Sequence, residues 1–455
     1  MVSFILPGNS ASGGFNVANS LRFNDDDSPS LTRTDSSGTS RRTFSYSVWV
    51  KKSQAKTDTD SNMIVNNASD ESNQFKIELE GDHPVDNNDI RIRQMVSGSQ
   101  TVVLKTNRSF RDPSAWMHIL VAVDTTQGTE ANRIKIYING VQETSFSSAT
   151  YPSLNSDMEV NVSGSYTTHI GKRNNNDHHF DGYMCEFVFI DGQALDPTSF
   201  GEFDEDSVIW KPIDVSGLTF GNNGFYLDFE DSSALGNDKA GSNNFTVNNL
   251  TAIDQSTDTC DNNFCTLNPL SKGTITLSEG NLQWQGSGDN GGKGTFLMTA
   301  GKWYWEMKRG DSEDNVGFGV AVSNWTNAVD AASGEAWYGY QGQAYKVSGS
   351  GEVSYGATFT NNDIVSCLFN ADDGILAFYK NGASQGNAYT GLTNSDGYVP
   401  IYFTYRSSVT NYMNFGSPIH SISSGNSDAN GYGNFEYAVP SGYFALCSKN
   451  LAEYG

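Results

Sequence analysis

Arg133-Ile-Lys-Ile-Tyr-Ile-Asn-Gly-Val-Gln142 and Gly374-Ile-Leu-Ala-Phe-Tyr-Lys-Asn-Gly-Ala383 are the two stretches on which the fold turns. In each, apolar and polar side chains alternate and then run into Asn-Gly. Ile134, Ile136 and Ile138 share one face, with Lys135 and Tyr137 opposite; Leu376 and Phe378 repeat the pattern, with Tyr379 opposite. A period of two is that of a half-buried strand. Asn-Gly supplies the two positive φ angles that a type I′ hairpin turn needs. The two pairs stand too far apart for a solenoid repeat, so they predict two separate all-β domains, each with its own core hairpin.

Outward from the first hairpin, Phe44–Lys51, Phe75–Leu79, Ile90–Ile92, Val102–Leu104 and Trp116–Val123 precede it, and Phe180–Ile190 follows. Around the second lie Gly301–Met307, Val316–Ala321, Ala336–Tyr340, Ile364–Phe369, Val399–Phe403 and Tyr412–Gly416. Gly, Asn, Asp and Ser punctuate the gaps, as in a sandwich or jelly roll. The expected division is an N-terminal arm over 1–18, a β-sandwich over 19–195, a partly ordered connector over 196–265, a second sandwich over 266–446 and a polar tail over 447–455. The connector carries strand patterns at Val208–Pro212 and Phe225–Phe229 and either belongs to the first domain's edge or bridges the two domains. The arm reads either as a disordered terminus or as a strand that docks on a neighbouring subunit.

The 455 residues include 52 Asp and Glu against 28 Lys and Arg, a formal net charge of −24. Nucleic acid and anionic membrane both require a basic footprint and are not expected as partners. No apolar run is long enough to span a bilayer, and Met1–Gly8 lacks the basic and apolar regions of a signal peptide. Apolar residues make up 37%, yet there are 26 Phe, 21 Tyr and 8 Trp, which suits sheets with one wet face. The five cysteines, 185, 260, 265, 367 and 447, are not a disulfide framework. Cys185 and Cys367 read as buried thiols; Cys260 and Cys265 are near enough in sequence for a local bridge. This usage fits maturation in a reducing cytoplasm.

Gly301-Lys-Trp-Tyr-Trp-Glu306, Val316-Gly-Phe-Gly-Val320, Trp337-Tyr-Gly-Tyr340, Asn362–Phe369, Asp373–Gly382 and Asn414-Phe-Gly416, in this order, resemble a SPRY domain. The resemblance implies a two-sheet sandwich whose usual role is binding without catalysis. Ser20-Leu-Arg-Phe23, Phe44–Val50, Trp116-Met-His118, Ile136–Gly140 and Phe180–Glu186 are similar to a laminin-G or concanavalin-A-like domain. Combined with Phe189–Leu195, Trp210-Lys-Pro212, Asn223–Phe229, Phe245–Leu250 and the closing Val439–Leu446, they resemble structural proteins of marine tailed phages. That resemblance implies two concanavalin-A-like β-sandwiches in tandem within a virion protein. The implied setting is a homo-oligomer that contacts other virion proteins and host-surface glycan or protein.

Three kinds of chemistry are conceivable on such sandwiches. Glycosidases on such sandwiches carry paired carboxylates on one strand. The nearest approach is Glu202-Phe-Asp-Glu-Asp206, which is followed by Ser207 and lies outside the strand pattern, so no catalytic residues are assigned and no enzyme is expected. Glu186 and Glu306 read as structural acceptors. No cofactor is required, although calcium is a candidate at Asp25, Asp26 and Asp27, with secondary candidates at Asp58–Asp60, Asp86 and Asp89; the competing reading is a solvated acidic loop. His178-His179 with Asp181 lacks the remaining ligands of a zinc site. For a ligand face, Trp325 in a loop, Trp337, Tyr338 and Tyr340, with Arg406, could stack on and bond a sugar. The alternative for these aromatics is packing.

Overall fold

Both Asn-Gly pairs make the expected turns. The computed structural model describes residues 14–54, 60–82, 85–286, 290–310, 316–326, 335–339, 343–346, 352–404 and 409–455, without the side chains of 80–82, 85–87, 343–346, 352 and 409. Asn139 and Gly140 have φ of 48° and 77°, Asn381 and Gly382 of 47° and 76°. The turns join Ile134–Ile138 to Val141–Glu143 and Ile375–Lys380 to Ala383–Tyr389. The asparagine does the same work in both. Asn139 Oδ1 accepts the backbone N–H of His118 at 2.8 Å, and Asn381 Oδ1 that of Ile364 at 2.9 Å. Each hairpin tip is thereby tied to the next strand of its sheet. Each glycine also lies against an aromatic ring: a Cβ would come within 2.4 Å of Trp210 at Gly140 and within 2.7 Å of Tyr437 at Gly382.

The chain divides into two units, and the described residues of the first run to Asp261 and those of the second from Asn262. In the first, one sheet runs Val141–Glu143, Ile134–Ile138, Met117–Asp124, Thr43–Lys52, Gly182–Asp191, Ser20–Phe23 and Gln255–Ser256. The facing sheet runs from Phe146–Thr150 through Ser99–Thr106, Val85–Val96, Asn73–Asp82, Ser61–Asp70, Thr167–Ile170 and Ser30–Thr34 to Thr246–Asn248. Ile134, Ile136 and Ile138 point into the core between them, with Phe44, Phe75, Ile92 and Phe189. Tyr137 packs on the opposite side with Leu120, Val188 and Phe200. In the second unit, Lys302–Arg309 is central to one sheet and Val316–Val322 to the other. Trp303, Trp305, Phe318, Leu376 and Phe378 fill the space between. Among the described residues, no helix is long and apolar enough to cross a membrane.

Of the two readings open for 196–265, the edge of the first domain holds for residues up to 261, which complete the first sandwich. Gly182–Asp191 bulges between Cys185 and Val188; before the bulge it pairs with Ser20–Phe23, and after it with Phe225–Leu227. The extra residues of a bulge re-aim a strand, which gives the strand expected at Phe225–Phe229 a pairing partner that the sequence pattern does not show. The end of this segment is anchored by Asp258, whose carboxylate meets Lys51 Nζ at 2.7 Å and Trp116 Nε1–H at 2.9 Å. The described part of the arm packs on its own domain, where Phe15 and Val17 sit with Trp49, Trp116 and Tyr183; residues 1–13 lie outside the described residues. The tail is a helix, Ser448–Tyr454, with Tyr454 stacked on Phe444 at 3.9 Å. Cys260 and Cys265 fall in different units, and all five thiols are free and buried.

Candidate binding site

The aromatic face expected on the second domain is built differently from its sequence reading. Trp325 does follow the strand Val316–Val322, but its ring folds back on the sheet, 2% exposed. It packs with Ala321, Val399 and Ile401, and its Nε1–H donates to Glu335 Oε2 at 2.9 Å. Gly291 makes room for it, since a Cβ there would lie 2.6 Å from the ring. Trp337 is equally buried and meets Phe403 edge-on at 4.8 Å. Tyr338 belongs to the inner core, with Phe378 at 5.2 Å and its hydroxyl donating to the Ala357 carbonyl; burial pushes its phenol up to about 12. These three residues are therefore packing groups. The physical reason is glycine: Gly291 and Gly317 leave hollows on the outer face that Trp325 and Phe403 fill. Tyr340 and Arg406 lie outside the described residues.

Asp25–Asp27 form a short 3-10 turn in which Asn24 Nδ2 donates to Asp27 Oδ2 at 2.8 Å, and Asn249 Nδ2 donates to the Asp27 carbonyl at 2.8 Å. Asp26 and Asp27 face solvent. Among the described residues, no three His, Cys, Asp or Glu side chains are grouped as a metal site. Asp60 meets His178 Nδ1 at 3.1 Å; Asp58 and the Asp86 side chain lie outside the described residues. In Glu202–Asp206, Glu202 and Asp204 flank Lys211 at 3.4 and 3.3 Å. Hydrogen bonds from Ser207 hold Asp204 down to about 2.

Glu306 and Glu186 are buried acceptors. Glu306 takes the Tyr304 hydroxyl at 2.8 Å and the backbone N–H groups of Glu436 and Tyr437 at 3.0 and 2.9 Å. Glu186 sits in the bulge with φ of 51° and takes the Tyr226 hydroxyl at 2.7 Å. Burial, reinforced by Asp228, Glu230 and Asp214, pushes its carboxyl up to about 8.

Two cavities lie among the described residues of the first unit. The larger, about 410 Å³ and open, is bordered by Ser37–Arg42 and by Asp157 and Asn161–Ser163. Its cations are paired, Arg41 with Glu159 at 3.3 Å and Arg42 with Asp157 at 2.7 Å. The smaller, about 210 Å³, has an apolar side of Val50, Leu79, Phe110 and Met117. Its polar side carries Lys52, Arg108, Arg111, Asp112 and Asn139. Lys52 is 4% exposed, and its Nζ donates to Asn88 Oδ1 at 3.1 Å and to the Phe110 carbonyl. Desolvation lowers its ammonium to about 8, with Asp112 opposing and Arg111 adding to the shift. The exposed Arg108 guanidinium lies 4.9 Å from the Phe110 ring centre, and among the described side chains it has no carboxylate partner. Asn139, the hairpin asparagine, spends Oδ1 on His118 and keeps its Nδ2 donor beside the cavity. Sequence reasoning missed this group because its members come from four separate segments; the run Arg108-Ser-Phe-Arg-Asp112 was the one local signal.

Residues 24–198 match the family model of the concanavalin A-like lectin/glucanases superfamily, and residues 302–418 that of the SPRY domain. A probable ATP-dependent RNA helicase, ddx1 of Dictyostelium discoideum, is 34% identical over 99 residues, which is 22% of this chain. The match spans only 12% of that helicase's length. The SPRY domain of human HERC1 is 18% identical with a TM-score of 0.29, covering 32% of this chain and 96% of that one. Another human SPRY domain is 14% identical with a TM-score of 0.27, covering 33% and 98%. The chain carries a concanavalin A-like domain followed by a SPRY domain, two folds of the binding or adaptor type.

Proposed function

We propose that the chain is a non-catalytic binding protein displayed on a tailed-phage particle, as a tail-fibre component or capsid-attached fibre, that attaches to host-surface glycan or protein. The observation that carries the binding part is the tandem of two sandwiches of binding type. Its candidate acids support the non-catalytic part: Glu186 and Glu306 are buried acceptors, and the Glu202–Asp206 carboxylates are held by Lys211 and Ser207. Support for the virion setting is the sequence resemblance of the segments from Phe189 to Leu250 and of Val439–Leu446. Several copies per particle, as a homo-oligomer among other virion proteins, would turn weak single contacts into stable attachment through effective concentration.

The test has two arms. Antibody labelling of purified particles locates the protein; its absence from particles refutes the virion setting. Purified chain is then applied to an array of bacterial envelope glycans and to intact host cells. Binding to either supports host attachment. Silence on both, with the protein present on particles, replaces attachment with a purely architectural role.

A further inference from the structure

The small cavity of the first domain concentrates positive charge on a strongly negative chain. Among the described side chains that line it, Lys52, Arg108 and Arg111 stand with one carboxylate, Asp112, while the whole chain carries −24. The charges of the larger cavity cancel in pairs; here Arg108 rests on a ring. A buried ammonium has lost hydration, so an anion that reaches it recovers charge-assisted hydrogen bonding that water no longer supplies. Lys52 has three donors, and its two acceptors, Asn88 and Phe110, leave the third. Guanidinium groups suit carboxylate and phosphate because their forked donors match planar or tetrahedral oxygens. On the other side, Phe110 and Met117 offer the apolar surface against which the C–H face of a sugar ring packs. At about 210 Å³ the cavity is smaller than the roughly 300–1,000 Å³ of sites that enclose drug-sized ligands. It therefore suits one sugar residue, with the rest of an oligosaccharide outside.

We propose that this cavity binds the anionic group of an acidic saccharide, with Arg108, Arg111 and Lys52 holding the charge and Asn139 Nδ2 bonding a ring hydroxyl. The inference rests on the glycan part of the function proposed above and names its chemical class. Carboxylate and phosphate share this chemistry, so both sources enter the test. Calorimetric titration of the full chain uses oligogalacturonate, mannose 6-phosphate and, as the neutral control, a galactose oligomer. We expect one or both acidic probes to bind and the neutral one not to; which of them binds identifies the source.

Arg108→Ala and Arg111→Ala alter exposed side chains, and thermal melts check that each variant keeps its fold. Each is expected to weaken binding roughly tenfold, as loss of one charge-assisted contact does. Arg41→Ala, at the other cavity, is expected to leave binding unchanged. Binding should also fall as pH rises past about 8, where Lys52 loses its proton beside Asp112, Arg111 and Arg108. Failure of both acidic probes, or binding that neither arginine variant weakens, overturns the proposal. Host attachment that persists without acidic-saccharide binding refutes this site and leaves attachment standing. Acidic-saccharide binding by a protein absent from particles does the reverse.

Discussion

Replacing Gly140 by alanine tests whether the first hairpin is held by backbone conformation alone or also by the ring packed against it. With φ of 77°, any L side chain is strained there, by about 1–2 kcal/mol. The second contribution comes from Trp210. An added Cβ would lie 2.4 Å from that ring, closer than packing allows. The ring has little freedom to retreat. Its Nε1–H donates to His118 Nδ1 at 3.1 Å, Phe203 packs edge-on at 4.9 Å, and Gly201 lies so close that a Cβ there would come within 2.6 Å of it. Forcing an extra methyl into a packed site typically costs about 1–3 kcal/mol, so the total is about 2–5 kcal/mol. Gly164→Ala isolates the first contribution, because Gly164 has φ of 83° and nothing within 4 Å; it should cost only about 1–2 kcal/mol. The chain has two domains and is not expected to unfold in one step. Urea unfolding is therefore followed by hydrogen exchange of peptides from Met117–Asp124, with Ile364–Asn370 of the second unit as internal reference. If Gly140→Ala costs no more than Gly164→Ala, the clamped ring contributes nothing and the reasoning fails.

Asp258→Ala should destabilise the first domain by about 3–5 kcal/mol, because it leaves the Lys51 ammonium buried without its carboxylate; an effect below 1 kcal/mol in urea melts would return this segment to the status of a linker. Glu186 has a folded pKa raised from 4.5 to about 8, so its contribution is fully present below the unfolded value and is lost as pH rises through the folded one. First-domain stability should fall by at most about 1.4 kcal/mol per pH unit across that window; Glu186→Gln, which keeps an acceptor for Tyr226, should flatten the slope, and an unchanged slope refutes the assignment. The His118 imidazole moves the other way, held down to about 3 by burial, so folding weakens as pH falls from its unfolded pKa near 6.5; His118→Gln should reduce that acid sensitivity in thermal melts. All five thiols are buried, and burial raises those of Cys185, Cys260, Cys367 and Cys447; Ellman's reagent should find none in native protein and five in urea, whereas one fast native thiol would contradict the packing.

How far the chain could be read from its residues follows from what alternation encodes. A period of two separates the two faces of a strand, and it placed Ile134, Ile136, Ile138, Leu376 and Phe378 correctly. It says nothing about what covers the second face. Tyr304, Trp325 and Trp337 all leave the inner core by parity, yet each is buried against a later segment or a glycine hollow. The same blindness left open whether the strand at Phe225–Leu227 belongs to the first domain's edge or to a bridge, since its place is created by a bulge at Glu186 that has no local signature. Binding sites suffer most from this. Aromatic residues attract attention in a sequence because they are large, but in these sheets their size is used to cover outer faces. The cavity that gathers positive charge is instead made by Lys52 at a strand end, Arg108 and Arg111 in a loop and Asn139 in a hairpin turn. Asn139 thus has two roles that its motif did not separate: Oδ1 fixes the register of the strand beside it, and Nδ2 borders the site. Asn139→Asp distinguishes them, because aspartate keeps an acceptor for His118 while placing a negative charge beside the cavity. It should preserve most of the stability and abolish acidic-saccharide binding; an equal loss of both would mean that the turn serves the fold alone.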